Sequence, residues 1–264
     1  ADGSVVVVYN GEIFNFRETA ELLRAKGYQF RTHCDTEVII YAWQEWGERC
    51  VEHFRGMFAF ALWDQRQRTL FLARDRLGIK PLFYSLLPNG QFVFGSELKA
   101  LEAHPALGKS LDPYAVEDYF SYGYIPEPRT IYSGTHKLPP GHHLTVRVGD
   151  QPTPKQYWDV PFTMLPGAAE EELRSELLER VSEAVRIRLI SDVPLGAFLS
   201  GGVDSGAVVA LMSELSDDPV NTFSISFGDP KFNESAYAQD VADRYGARHR
   251  VEQVDPNDFD LIDR

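Results

Sequence analysis

Two stretches carry residue types that could do chemistry. The first is "SGGVDS", residues 200–205. Gly201 and Gly202 let a ligand approach the backbone closely. If the segment opens a helix, its unpaired N–H groups and the positive dipole end hold an anion without any lysine. Ser200 and Ser205 can add hydroxyl donors. Asp204 would repel a bare phosphate, but it makes sense if Mg²⁺ lies between the carboxylate and the phosphate oxygens. Such a loop suits a diphosphate held with its metal, unlike the lysine-containing G-x-x-x-x-G-K-[ST] loop. The plainer reading is a glycine-rich strand–helix turn without a ligand.

The second stretch is "YNGEIFN", residues 9–15. Asn-Gly is a strong hairpin signal, so Asn10, Gly11 and Glu12 can be read as a turn. The chemical reading uses the Asn10 amide and the Gly11 N–H as two donors, enough for an oxyanion hole. A nearby carboxylate could bind the ammonium end of an amino acid. Asp35 is a second such carboxylate, unless it serves only as a helix N-cap.

The elements that must position these residues fall into two regimes. In the first, residues 4–9 read as a strand, 16–26 as a helix between Asn15 and Gly27, and 28–32 as a short strand. Asp35 opens a helix that ends at Gly47. Strands follow at 57–64 and 69–75, and "PLFYSLL" and "QFVFGS" flank the turn "PNG". The pattern is α+β. Residues 104–168, rich in Pro, Gly and Tyr, read as a connection that holds a short helix and a strand near 143–148. His142 and His143 have no further ligands at zinc spacing.

The second regime alternates: helix 169–191, strand 194–200, helix 203–215, strand 221–227, helix 234–246, strand 248–254. This argues a parallel sheet with helices on its faces. Ligands bind such sheets outside the carboxyl ends of the strands, where "SGGVDS" lies.

A chain of 264 residues with 44% apolar and 25% charged residues has room for one large or two small domains. A formal charge of −13 disfavours nucleic-acid partners. The longest apolar run, "SVVVVY", is too short to cross a membrane. Cys34 and Cys50 give no disulfide framework, which favours a reducing, cytoplasmic setting. The chain enters a strand almost at once and ends in "FDLIDR", which reads as mid-helix, so a fragment of a longer protein is expected.

"VVVYNGEIFNFRE", "CDTEVII", "FRGMFAFALWD" and "LARDRLGIKPLFY" together resemble the glutaminase domain of glutamine-hydrolysing asparagine synthetases. That domain is a class II glutamine amidotransferase of the N-terminal-nucleophile hydrolase fold. The resemblance implies Asn10 and Gly11 as the oxyanion hole, and Asn10, Gly11, Glu12 and Asp35 as glutamine-binding residues. The family's nucleophile, a cysteine at the mature N-terminus, has no counterpart here. Cys34 and Cys50 are internal and read as packing residues, so this chain alone is expected not to hydrolyse glutamine.

"SGGVDS" resembles the pyrophosphate loop of the ATP pyrophosphatases. "RLISDVPLGAFLSGGVDS" with "FSISFGDPKFNESAYAQDVADRYGARH" is most similar to the synthetase domain of the asparagine synthetases. The resemblance implies ATP contacts from Phe198, Leu199, Ser200, Gly201, Gly202, Asp204, Ser205 and Ile225, with Mg²⁺ on Asp204. Glu234 and His249 read as structural.

The implied fold is an α+β N-terminal-nucleophile hydrolase-like domain (1–110), a connection (111–168), and the start of an α/β parallel-sheet ATP-pyrophosphatase domain (169–264). The implied substrates are glutamine, aspartate and ATP, passing through β-aspartyl-AMP, with no nucleic acid or membrane partner. A homodimer is compatible with this reading. Rival readings are an amidotransferase with another acceptor acid, a β-lactam synthetase-like enzyme, and a non-catalytic nucleotide- or glutamine-binding remnant.

Overall fold

The computed structural model describes residues 3–163, 167, 169–228 and 233–254. The chain forms two compact units, residues 1–163 and 164–264.

The first unit is built on a five-stranded antiparallel sheet. Its strands are β1 (Val5–Ile13), β2 (Gly56–Asp64), β3 (Thr69–Arg74), β7 (His142–Val146) and β8 (Lys155–Gln156), in the order β1-β2-β3-β7-β8. A smaller sheet has the order β5 (Phe92–Gly95), β4 (Phe83–Leu86), β6 (Thr135–Lys137). The two-residue period of β2 decides what covers each face. Phe58, Phe60 and Leu62 meet helices α1 (Phe16–Ala25) and α2 (Asp35–Trp46) through Leu23, Ile39, Ala42 and Trp43. On the other face Ala59 and Ala61, small enough to admit a second layer, meet Leu82, Tyr84 and Leu138 of the smaller-sheet region. Burying each large apolar side chain is worth about 1.5–3 kcal/mol. Strand β2 is therefore almost wholly apolar because both of its faces are covered.

The β2–β3 turn is fastened by a buried carboxylate. Asp64 accepts from Trp43 Nε1 at 2.9 Å and from the N–H groups of Arg66 and Gln67 at 2.9 and 3.0 Å.

Four sequence expectations change here. Residues 10–12 are not a turn: β1 runs straight through them, with Asn10 opposite Ala59 and Gly11 opposite Phe58. The Asn-Gly signal yields because the paired, half-buried strand continues to Ile13. Residues 28–32 form no strand; Tyr28 and Phe30 instead pack their rings on Tyr41. Asn15 stands at the N-cap of α1, but its side chain bridges to the His53 carbonyl and the Arg55 N–H at 2.9 and 2.7 Å. Residues 111–163, read as a connection, contribute α4 (Pro113–Tyr122) and strands β6, β7 and β8 to the first unit.

The second unit holds a three-stranded parallel sheet, β9 (Gly196–Phe198), β10 (Asn221–Phe227) and β11 (Arg248–Val254), in the order β11-β10-β9. Helix α6 (Val203–Leu215) packs on β9, and α7 (Ser235–Tyr245) packs on β10 and β11. Helix α5 (Glu170–Arg186) lies against α6. Strand β10 alternates against the usual sense. Thr222, Ser224 and Ser226 are buried, while Phe223, Ile225 and Phe227 are 39%, 54% and 40% exposed.

Candidate functional site

In the first unit the site forms along β1, which has β2 as its only sheet neighbour among the described residues. Phe58 of β2 donates its N–H to Asp75 Oδ2 at 3.1 Å and accepts from the Asp75 N–H at 2.8 Å. Both backbone groups of Phe58 therefore face away from β1. In an antiparallel pair, opposed residues alternate between facing and turning from each other. Gly11, opposite Phe58, thus turns its N–H to the open edge of the sheet. Glycine is required at this point. Its φ is +148°, and a Cβ would lie 2.1 Å from the Met57 carbonyl oxygen and 2.6 Å from Phe58 Cα. The side chain of Asn10, the preceding residue, is exposed.

Asp35 is brought to the same edge from α2. It is the first residue of that helix, and Cys34 takes the N-cap position. Asp35 Oδ2 accepts from the Tyr9 hydroxyl at 2.7 Å and from the Ile13 N–H at 3.1 Å. Tyr9 and Ile13 stand two residues either side of Gly11, so the carboxylate brackets the glycine. Asp35 Oδ1 takes the Cys34 thiol at 3.4 Å.

The Asp35 and Glu12 charges both act on Tyr9. Burial pushes the Tyr9 phenol strongly up, helped by its hydrogen bond to Asp35 and by the Glu12 charge. Glu12 is held above the usual carboxylate range by burial and by Asp35, and the Lys80 ammonium opposes that shift. Gly11, Glu12 and Asp35 thus share the open edge of β1, and Asn10 precedes Gly11 along that strand with its side chain exposed. The sequence reading missed Tyr9, Asp75 and Lys80; the last two lie inside the quoted stretch "LARDRLGIKPLFY" without a role.

In the second unit the loop 200–202 leaves β9 and enters α6, with Gly202 at the N-cap and no side-chain cap bond. The Leu199 N–H extends the sheet pairing, donating to the Phe223 carbonyl at 2.8 Å. Within the loop, Ser205 Oγ accepts from the Ser200 N–H at 3.3 Å, and Ser200 Oγ accepts from the Gly202 N–H at 3.3 Å. The two hydroxyls stand 3.0 Å apart. They shape the loop from inside, where the sequence suggested only ligand donors. The first helical bond runs from the Gly206 N–H to the Gly202 carbonyl, so the N–H groups of residues 203–205 have no intrahelical partner. Asp204, in this first turn, is exposed.

Phe198, Leu199, Ser200 and Ile225 line one cleft of about 260 Å³, together with Glu234 and Ser235 at the start of α7. Gly201, Gly202, Asp204 and Ser205 adjoin it along the chain and do not line it. Phe198 is 83% exposed. Glu234, read as structural, occupies the N-cap of α7 without a side-chain cap bond and lines the cleft. A larger cleft of about 550 Å³, beside Tyr28, Gln44 and Arg66, carries none of the expected site residues.

Gly201 has φ +82°, and a Cβ there would lie 2.6 Å from Tyr237 Cβ and 2.8 Å from the Ala238 nitrogen. Gly201→Ala is expected to cost about 1–3 kcal/mol in strain alone, more where α7 must shift. Thermal unfolding should show a fall of several degrees; an unchanged melting temperature would mean the loop relaxes freely.

No helix among the described residues is long and apolar enough to cross a membrane. Comparison with known proteins bears on both units. Residues 1–158 match the family model for the glutamine amidotransferase domain, and residues 176–264 match the asparagine synthase model. A Methanocaldococcus jannaschii protein, provisionally named asparagine synthetase [glutamine-hydrolyzing] 2, is 38% identical over 265 residues, covering 98% of this chain and 50% of that one. Asparagine synthetase [glutamine-hydrolyzing] 1 of Bacillus subtilis is 34% identical over 258 residues, covering 98% of this chain and 40% of its own length. The chain thus spans half or less of the length of these relatives. Among solved structures, the B. subtilis glutamine phosphoribosylpyrophosphate amidotransferase is similar at a TM-score of 0.41 and 15% identity, over 95% of this chain and 46% of that one. The chain belongs to the glutamine amidotransferase domain family, followed by an asparagine synthase segment as in the asparagine synthetases it matches.

Proposed function

We propose that this chain is part of a glutamine-hydrolysing asparagine synthetase. Aspartate, glutamine, ATP and water would give asparagine, glutamate, AMP and pyrophosphate. The observation that carries the reading is Asp35 fixed at the open edge of β1 on both sides of Gly11. The Gly11 N–H and the Asn10 amide donate to the oxyanion formed on the glutamine carboxamide. Asp35 and Glu12 receive the α-ammonium. Neither cysteine of this chain is the nucleophile. Cys50 is fully buried with its thiol pushed up by desolvation, and Cys34, inside the chain, offers no α-amine and donates its thiol to Asp35.

In the second unit the amides of residues 203–205 and the neighbouring cleft suit ATP, cut between its α- and β-phosphates as the aspartate carboxylate is adenylated. Among the described residues no group of three His, Cys, Asp or Glu side chains could cage a metal. A lone exposed carboxylate beside helix-terminal amides still fits Mg²⁺, which typically uses one or two carboxylates plus substrate phosphates. Asp204 would hold the ion, which would neutralise charge on the departing pyrophosphate. Asp204→Ala is expected to weaken Mg²⁺-dependent ATP binding roughly 10–100-fold, the loss of one charge-assisted contact. Equal affinities by calorimetry would remove the metal from the reading.

The full-length protein decides the overall reaction when incubated with glutamine, Mg-ATP and aspartate. Asparagine, AMP and pyrophosphate in equal amounts are expected. An amide formed on another acid, with aspartate ignored, would move the protein to a relative with a different acceptor. ATP binding without turnover would make it a nucleotide-binding remnant.

A further inference from the structure

We propose that Tyr9 is a positioning residue of the glutamine site: its hydroxyl fixes the Asp35 carboxylate and leaves Oδ1 as the oxygen that receives the α-ammonium. The inference rests on the glutamine reading above and adds one residue to it.

The two parts of the site are held in different ways. The Gly11 N–H belongs to the backbone of β1, and its direction is set by the sheet. Phe58, the residue opposite, is gripped at both backbone groups by Asp75. Asp75 is 1% exposed. Its Oδ1 accepts from the N–H groups of Leu77 and Ile79 at 3.1 and 2.9 Å. Its Oδ2 accepts from Lys80 N–H at 3.0 Å and from Phe58 N–H at 3.1 Å. Four N–H groups on one carboxylate keep this part of β2 from shifting.

Asp35 reaches the same edge only through its side chain, from the first turn of α2. The terminal torsion of an aspartate is broad and roughly two-fold. What donates to the carboxylate therefore sets its plane. Oδ2 has two donors, the Tyr9 hydroxyl at 2.7 Å and the Ile13 N–H at 3.1 Å. Oδ1 has, among the described residues, the Cys34 thiol at 3.4 Å, and a thiol is a weak donor. An arriving ammonium thus displaces least at Oδ1. Without the hydroxyl a single N–H remains on Oδ2, and the carboxylate can pivot about it. Tyr9 suits this task. Its ring packs half-buried on the apolar core of the first unit, so the hydroxyl comes from a fixed base. Burial and the hydrogen bond to Asp35 push the phenol up, so it stays protonated and always donates. Phenylalanine would keep the ring and lose only the donor.

The test is glutamine hydrolysis by the full-length protein, for wild type, Tyr9→Phe and Asp35→Asn. A second ligand is 4-carbamoylbutanoate, which is glutamine without its α-amino group. It is read as a competitor of L-glutamine, so it counts whether or not it is turned over. Tyr9→Phe is expected to raise KM for L-glutamine roughly tenfold, with kcat within about threefold of wild type, the loss of one hydrogen bond to a charged group that binds the ground state. The inhibition constant of 4-carbamoylbutanoate should agree between Tyr9→Phe and wild type within about twofold, because this ligand has no ammonium for Asp35 to receive. A KM for Tyr9→Phe within about twofold of wild type, with KM raised by Asp35→Asn, would overturn this inference alone. An equal weakening of both ligands in Tyr9→Phe would make Tyr9 a packing residue and overturn it too. An unchanged KM in Asp35→Asn would sink the glutamine reading and this inference with it.

Discussion

Asn10→Ala should slow glutamine hydrolysis by the full-length protein by roughly 100–1000-fold in kcat, the usual cost of one oxyanion donor. Two features of the structure make this a clean test. The Asn10 side chain is exposed, so its removal opens no cavity. A surface truncation of this kind should change stability by about 0.5 kcal/mol or less. The Gly11 N–H stays in place, held by the pairing of β1 with β2, so activity should fall and not vanish. KM should move little, because the contact strengthens only as charge develops on the carbonyl oxygen. A kcat within a few-fold of wild type, with the melting temperature unchanged, would reduce Asn10 to an ordinary edge-strand residue.

Arg74→Met should destabilise the first unit by about 3–5 kcal/mol, the cost of removing one partner of a buried charged network. Arg74 is 6% exposed. Its guanidinium donates to the carbonyls of Lys80 at 2.7 Å, Gly78 at 2.8 Å and Leu138 at 2.7 Å, and to Glu127 Oε1 at 2.6 Å. Methionine fills much of the volume but leaves three carbonyls and a carboxylate without their donors, and each unsatisfied buried group costs about 1–3 kcal/mol. Arg74→Lys keeps the charge but cannot reach four acceptors from one planar fork, so it should recover only a minority of the loss. Urea unfolding of the three proteins measures this directly. A loss below about 1 kcal/mol in Arg74→Met would mean that water replaces the guanidinium at these carbonyls.

The parallel half of the chain was readable because each element carries its own local signal. The helix that follows "SGGVDS" and the strand at 221–227 appear within a residue of where periodicity put them. The first unit was harder, for reasons that can be named. Asn10-Gly11 has the composition of a turn, but its partner strand at 56–64 lies more than forty residues away, and no local rule reports that pairing. Residues 28–32 alternate like a strand, yet their rings found Tyr41 in place of a neighbouring strand. Strand β7, within a stretch dense in proline and glycine, pairs with β3 across some seventy residues. Asp35 could be suspected from its residue type, but its grip on Tyr9 and Ile13 depends on how α2 lies against β1. The same holds for Asp75 and Lys80, which look like loop residues until four N–H groups are seen to converge on one carboxylate.

The outward-facing Phe198, Phe223, Ile225 and Phe227 bear on how a polypeptide of these 264 residues will behave in a tube. They form a greasy plate on a body that otherwise carries a formal charge of −13. At low ionic strength, mutual repulsion keeps such particles apart. Salt shortens the reach of that repulsion to about 8 Å at 0.15 M and about 3 Å at 1 M, while the plates attract on contact regardless. Dilute, salt-poor buffers should keep it monodisperse, and added salt should drive it to self-associate.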